Sequence, residues 1–153
     1  MNDWRFARTE MLLGSDGVEW LSTASIAVFG IGGVGSYAVE ALARAGVGRL
    51  TLIDHDVIDV TNINRQIHAL TETVGMPKTE TMARRIRSIN PACDVREIRA
   101  FYQPAGADAF FPECYDYVLD AVDTVTAKVD LAVQCHRRGI PQIASMGAAN
   151  KLD

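Results

Sequence analysis

Apolar residues along the chain fall alternately into short continuous runs and into stripes with helical spacing. Residues 25 to 30, SIAVFG, form a run that ends in glycine, as a strand buried on both faces of a parallel sheet does. Residues 33 to 45 then place Val34, Tyr37, Ala38, Ala41, Leu42 and Ala45 at helical spacing, and Gly46 and Gly48 end the segment. A second strand is predicted at residues 50 to 54, LTLID. Pro77 opens another helix, because the amide hydrogen it lacks would find no partner in a first helical turn. Met82, Ile86 and Ile89 share one face of that helix, and Asn90-Pro91 stops it. Residues 94 to 100 and 116 to 121 read as strands, 124 to 138 as a helix and 141 to 146 as a fifth strand, while residues 3 to 22 form a helical stretch ahead of them all.

This alternation predicts an α/β fold: a doubly wound, Rossmann-like, mostly parallel sheet with helices on both faces and an N-terminal helical extension. Right-handed crossovers leave few other arrangements for such an order of elements. Residues 1–24 are read as the helical segment and 25–153 as one Rossmann-like domain, with no repeat or linker between them. The stretch from residue 56 to 75 is polar and too long for an ordinary connection, which marks it as functional.

Composition narrows the setting. Hydrophobic residues make up 48% of the 153 and charged residues 22%, a balance that folds rather than one that stays disordered. No apolar run reaches the roughly 18 residues of a membrane span. The N-terminus MNDWRFARTE also lacks the basic-then-apolar pattern of a signal peptide, so a cytoplasmic protein with no membrane association is expected. Cys93, Cys114 and Cys135 are widely spaced with no CxxC pair, and are read as buried structural thiols in a reducing compartment. A net charge of −4 offers no global attraction to nucleic acid, so any RNA contact is local.

The candidate chemistry begins at Gly30-Ile-Gly32-Gly33-Val-Gly35, a G-x-G-x-x-G loop that follows the first strand and opens a helix. Glycines there permit a tight turn and let bare backbone approach a phosphate chain, whose charge meets the unpaired N–H groups of the helix start. Asp54 ends the second strand 19 residues after Gly35, where a carboxylate accepts hydrogen bonds from ribose. Together they specify a nucleotide but leave ATP and NAD both open.

Downstream residues bear on that choice. Asn62-Ile-Asn64-Arg65-Gln66 hangs over the carboxyl edge of the sheet with an arginine fork suited to phosphate, although a solvated polar loop has the same composition. Lys78 sits in the first turn of a helix, where the dipole disfavours a cation. That placement suggests an anionic ligand, with a solvent-facing lysine as the alternative, and truncating it is expected to leave stability equal or slightly improved. With a strand order of 3-2-1-4-5, the carboxylates of Asp120 and Asp123 face the glycine loop across the crevice. Asp123 then suits magnesium, and helix capping is its other reading.

The order and spacing of GIGGVGS at 30 to 36, the acids at 54 and 56, NxNRQ at 62 to 66, VGMPK at 74 to 78, INP at 89 to 91 and DxxD at 120 to 123 resemble the ubiquitin-activating (ThiF/MoeB/HesA) superfamily. Arg5-Phe-Ala-Arg8 is similar to the R-x-x-R segment near the start of that superfamily. The resemblance implies an ATP-binding adenylation domain: a substrate carboxylate attacks the α-phosphorus of MgATP, giving an acyl adenylate and pyrophosphate. It further implies that Gly30, Gly32, Gly33 and Gly35 hold phosphates and Asp54 the ribose, that Asn64, Arg65 and Lys78 contact phosphates, and that Asp123 holds magnesium. Asp56, Gln66 and Asp120 are implied at the nucleotide, and Arg8 at the triphosphate of the neighbouring subunit in a homodimer. Residues 145 to 153, RQIHAL at 65 to 70 and DAVDTV at 120 to 125 look like the branch that dehydrates threonylcarbamoyladenosine in tRNA. The branch that adenylates the C-terminal glycine of a ubiquitin-like sulfur-carrier protein usually has Asn where this chain has Thr124. A catalytically silent nucleotide-binding subunit is a further reading. The family pattern continues beyond the point corresponding to residue 153. Arg84, Arg85, Arg87, Arg137 and Arg138 read equally as an RNA guide or as solvated helix faces.

Overall fold

The computed structural model describes residues 4–146. Strands β1 (Ser25–Phe29), β2 (Arg49–Ile53), β3 (Asp94–Ile98), β4 (Tyr117–Asp120) and β5 (Gln142–Ala144) form one parallel sheet in the order β3-β2-β1-β4-β5. The chain winds outward from β1 to β3, then crosses to the other side of β1 to lay down β4, so the reversal of direction falls between β1 and β4. Helices α2 (Gly35–Ala45), α3 (Lys78–Ile89) and α4 (Val125–Arg138) make three of the crossovers, and the 3-10 segment Pro104–Phe110 lies in the fourth, from β3 to β4.

Strand β1 shows why its sequence is apolar at every position. Ile26 and Val28 join Leu50, Leu52, Val39, Ala43, Met82 and Ile86 in the core beneath α2 and α3, whereas Ala27 and Phe29 join Val118, Leu131 and Cys135 beneath α4. A strand with a buried layer on each side has no face to leave polar. The 3-10 segment Pro104–Phe110 closes the α4 side. Phe29 holds it there, packing edge-to-face on Tyr102 at 5.3 Å and obliquely on Phe110 at 6.3 Å between ring centres.

Several expectations are refined. The predicted N-terminal helix is a 3-10 turn, Trp4–Phe6, followed by α1 (Ala7–Thr23), which is broken at Gly14, where φ is 74° and ψ 171°. The long polar stretch folds into two 3-10 turns, Val60–Asn62 and Thr71–Thr73, and is stitched to the start of α3 by a Val57–Pro77 bridge and by Ile58 N–H donating to the Met76 carbonyl. Cys93 and Cys135 are buried, and burial, first of all, pushes each thiol up to about 11, but Cys114 is exposed rather than structural.

The basic cluster of α3 meets carboxylates of this chain. Arg85 and Arg44 both donate to buried Glu40, at 2.5 and 2.8 Å, while Arg84 pairs with Glu80 and Arg87 with Glu97. Burial works against the charge of Glu40, yet the bonds from Arg85 and Arg44 outweigh it and hold the carboxyl below its usual range. Arg85 thus ties α3 to α2, a packing role that neither the RNA-guide nor the solvated-face reading included.

Candidate functional site

A cavity of 560 Å³ opens at the carboxyl ends of β1 and β4, where the direction of winding reverses. Its floor is the glycine loop. Gly30 turns the chain out of β1 with φ 85°, and its N–H donates to the Ile53 carbonyl at 2.8 Å. Asp54 braces the loop by accepting the Ile31 N–H at 2.7 Å, and its other oxygen takes the Asp56 N–H at 2.8 Å.

The glycines divide into two pairs. A Cβ on Gly30 would lie 2.7 Å from the Ala121 carbonyl oxygen, and one on Gly35 only 1.8 Å from that of Gly30. These two are needed by the fold itself. A Cβ on Gly33 would meet nothing closer than Arg65 Cγ at 3.5 Å, and one on Gly32 nothing closer than Gln66 Nε2 at 4.0 Å. The protein has no packing reason for Gly32 and Gly33, both of which line the cavity. They leave backbone bare towards open space at a helix start whose first residues carry no side-chain cap, which suits an anion.

The walls are charged. Lys78 is buried, yet its Nζ reaches the cavity and donates to Asp56 Oδ2 at 2.7 Å. The solvent-facing alternative is thereby removed, and the anion that meets the lysine in this structure belongs to its own chain. Its buried stem also removes the expectation that truncation would be harmless. Asp56 in turn lies 3.2 Å from His55 Nε2, and His55 stands edge-to-face on exposed Phe101 at the cavity mouth, 4.8 Å between ring centres. Arg65 lines the cavity and donates to the Thr61 carbonyl and to Asn64 Oδ1 at 2.9 and 3.1 Å. Gln66 is buried along the same wall with its Oε1 unpartnered.

Besides Gly35, which does not line the cavity, two expected residues stand elsewhere. Asn64 points to Arg65 and does not line the cavity; Asn62, two positions earlier in the same motif, does. Asp120 does not face the glycine loop. Its side chain is fully buried behind the wall, where it accepts from Lys128 Nζ and from the Val122 N–H, both at 3.1 Å. Lys128 also donates to the Ser145 carbonyl at 2.6 Å, so it pins the end of β5 to the end of β4. Nothing in local spacing signals Lys128, because its partners lie on two other elements.

Asp123 is exposed and lines the cavity. It takes only a 3.4 Å contact from the Thr124 hydroxyl, and among the described residues it has no ion pair. Thr124 occupies the cap position of α4 and no side chain caps that helix, which removes the capping role considered for Asp123. Asp54, His55 and Asp56 have ligand atoms within 4.8 Å of one another, but Asp54 already accepts two backbone N–H groups and Asp56 holds Lys78. Among the described residues Asp123 is therefore the cavity carboxylate left with neither an ion pair nor backbone donors, and it fits a divalent cation shared with phosphate oxygens. Arg8, exposed on α1, makes among the described residues a 3.6 Å contact with Met11 Sδ, and it does not line the cavity of its own chain.

Residues 6–151 match the ThiF family. The chain belongs to the ThiF family. It is 51% identical over 149 residues to tRNA threonylcarbamoyladenosine dehydratase of Bacillus subtilis, a match covering 97% of this chain and 59% of the relative. Among solved structures it is similar to the ATP complex of the Escherichia coli tRNA N6-threonylcarbamoyladenosine dehydratase, with TM-score 0.93 and 47% identity over 97% of this chain and 61% of that one. It is 34% identical to the Escherichia coli molybdopterin-synthase adenylyltransferase, covering 97% of this chain and 59% of that protein. The chain thus spans about three-fifths of the length of these curated relatives. The ThiF-type sheet seen here has the strand order expected from the sequence, with its N-terminal helices outside the sheet. The motif residues 147 to 153 lie outside the described residues.

Proposed function

We propose that this ThiF-family chain is the ATP-binding part of an enzyme that adenylates a carboxylate, and that the carboxylate is the threonyl side group of threonylcarbamoyladenosine in tRNA. The observation that carries the adenylation reading is the pairing of bare backbone at Gly32 and Gly33 with Lys78, Arg65 and Asp123 around one cavity. A dehydrogenase has no use for that phosphate-directed set. The tRNA substrate rests on likeness to proteins of that name at 51% and 47% identity. A sulfur-carrier C-terminal glycine is the second reading, favoured by the 34% likeness to molybdopterin-synthase adenylyltransferase.

In this reading the glycine-loop N–H groups, Arg65 and Lys78 neutralise phosphate oxygens, and Asp54 turns a free lone pair to the ribose. Asp56 and Gln66 complete the cavity wall, and Asn64 acts by steadying Arg65 rather than by direct contact. Asp123 would hold magnesium, whose charge offsets that developing on the departing pyrophosphate. The substrate carboxylate attacks the α-phosphorus, the bond to the bridging oxygen breaks, and pyrophosphate leaves. Ring closure by a nucleophile of the modified nucleoside then expels AMP, so no cysteine thiolate is needed. That agrees with two buried thiols whose titration is pushed up to about 11.

The cavity's own charges do not suffice. Asp54, Asp56 and Asp123 oppose only two permanent cations, Arg65 and Lys78, before a triphosphate arrives. Magnesium would supply part of the missing positive charge, and we assign a further cation, as the family resemblance implies, to Arg8 of a second copy in a homodimer. Helix α1 buries none of its residues and exposes Met11 and Leu12 before its break and Trp20 after it, apolar surface suited to coverage by that copy. Residues 1–24 would then be a dimer-forming arm and 25–153 the adenylation unit, working in the cytoplasm. Among the described residues no helix is long and apolar enough to cross a membrane. Pyrophosphate exchange into ATP, run on the full-length protein with threonylcarbamoylated tRNA and separately with a carrier protein, tests the proposal. Exchange that needs the carrier, or none with either, would overturn the tRNA assignment.

A further inference from the structure

The buried cation of the cavity is held by its own chain. Lys78 is 7% exposed at its side chain and its Nζ lies 2.7 Å from Asp56 Oδ2. The backbone fixes this partnership from both ends. The Asp56 N–H is bound by Asp54, the Asp56 carbonyl accepts the Lys78 N–H at 3.1 Å, and the Val57–Pro77 bridge locks the two strands of chain side by side. Asp56 cannot withdraw as a unit; only its carboxylate, whose Oδ1 already lies 3.2 Å from His55 Nε2, can turn away from Lys78 into water. Any phosphate that takes Lys78 must displace this carboxylate or sit beside it.

We propose that Asp56 is a positioning residue that competes with phosphate for Lys78 and thereby sets how readily pyrophosphate leaves; this rests on the adenylation reading. A nucleoside triphosphate is anchored elsewhere as well, along the glycine loop and at Asp54, and so tolerates the competition. Free pyrophosphate loses that anchoring once the α-phosphorus bond breaks. The returning carboxylate then recaptures the ammonium, which would otherwise be left buried without an anion, a costly state. The same contact keeps the empty cavity from filling with inorganic phosphate.

The test is calorimetric titration of purified protein with pyrophosphate and magnesium, and separately with ATP and magnesium, for the wild type, Asp56→Asn and the double variant Asp56→Asn, Lys78→Met. The amide keeps the shape of the carboxylate and an acceptor for Lys78 but removes the competing charge. Pyrophosphate should bind Asp56→Asn about tenfold more tightly than wild type, a gain typical of relieving a close like-charge contact. The double variant should lose that gain. Asp56→Ser, which also removes the charge, repeats the measurement if the amide variant fails to fold. Equal or weaker pyrophosphate binding in the charge-free variants would overturn the proposal and leave Asp56 as a prop for Lys78. If wild type binds MgATP while no variant binds pyrophosphate, this inference alone falls; if wild type binds neither, the adenylation reading falls with it.

Discussion

Replacing Gly33 by Ala separates what the fold needs from what the ligand needs. The added Cβ would sit 3.5 Å from Arg65 Cγ and 3.6 Å from Arg65 Cδ, ordinary van der Waals contacts, at a backbone conformation that side chains accept. With no strain in the folded state, the substitution acts on the unfolded chain, whose conformational freedom alanine reduces, and stability should rise by about 0.5 kcal/mol. The methyl group nevertheless projects into the space where phosphate meets bare backbone. At a concentration one hundred times its dissociation constant, MgATP stabilises the wild type by about 2.7 kcal/mol, close to 8 °C in melting temperature for a chain of this size. A thirtyfold loss of affinity leaves only about 0.9 kcal/mol of that, so most of the shift should vanish. Gly35→Ala provides the contrast, since its Cβ would fall 1.8 Å from the Gly30 carbonyl oxygen. The turn from β1 into α2 must then rearrange, at a cost on the order of 3 kcal/mol. Urea unfolding with and without MgATP reads both quantities. Gly33→Ala protein that is destabilised like Gly35→Ala, or that keeps the full MgATP shift, would refute the division of the loop into two pairs.

His68 is buried with both ring nitrogens unpartnered, and burial above all, helped by the Lys78 charge and opposed by Asp54, pulls its pKa down to about 4. Because the folded value lies below the unfolded one, the stability is whole above about pH 6.5 and falls as pH drops towards 4, by about 3 kcal/mol in all. His68→Leu should flatten that window in urea titrations, and an unchanged pH profile would count against a neutral buried imidazole. Truncating Lys78 to Ala should destabilise the fold by about 2 kcal/mol through loss of its buried stem, whereas Lys78→Met should cost far less; equal melting temperatures for the two variants would contradict this. Asp123→Asn should abolish adenylate formation in the full-length protein with the melting temperature unchanged, and normal turnover would remove Asp123 from the site. Homodimers of full-length Arg8→Ala and of Asp123→Asn should each be nearly inactive, yet subunit exchange between them should restore about a quarter of wild-type activity, because half the dimers become mixed and each carries one repaired site. No recovery after verified exchange would confine Arg8 to its own chain.

Local patterns carried much of this protein into view. Continuous apolar runs identify strands covered on both faces, 3.6-residue stripes identify the crossover helices, and the handedness of crossovers then restricts the strand order. The glycine loop was legible for the same reason: a turn, a φ of 85° at Gly30 and a helix start all lie within a few residues of one another. What the tertiary structure alone decided was the partner of each charge. Asp120 ends β4 and Asp123 follows it by three residues, but Asp120 lies on the face of Val118 and meets Lys128 on α4, so it is buried while Asp123 remains open to the cavity. Asn62 rather than Asn64 lines the cavity because a 3-10 turn, capped by Asp59, rotates the motif. Lys78 meets Asp56 across 22 residues, through a bridge that no periodicity announces. Backbone conformation responds to neighbours in sequence, whereas a buried charge responds to whatever the folded chain brings within a few ångströms of it, and that is settled only when every layer has packed.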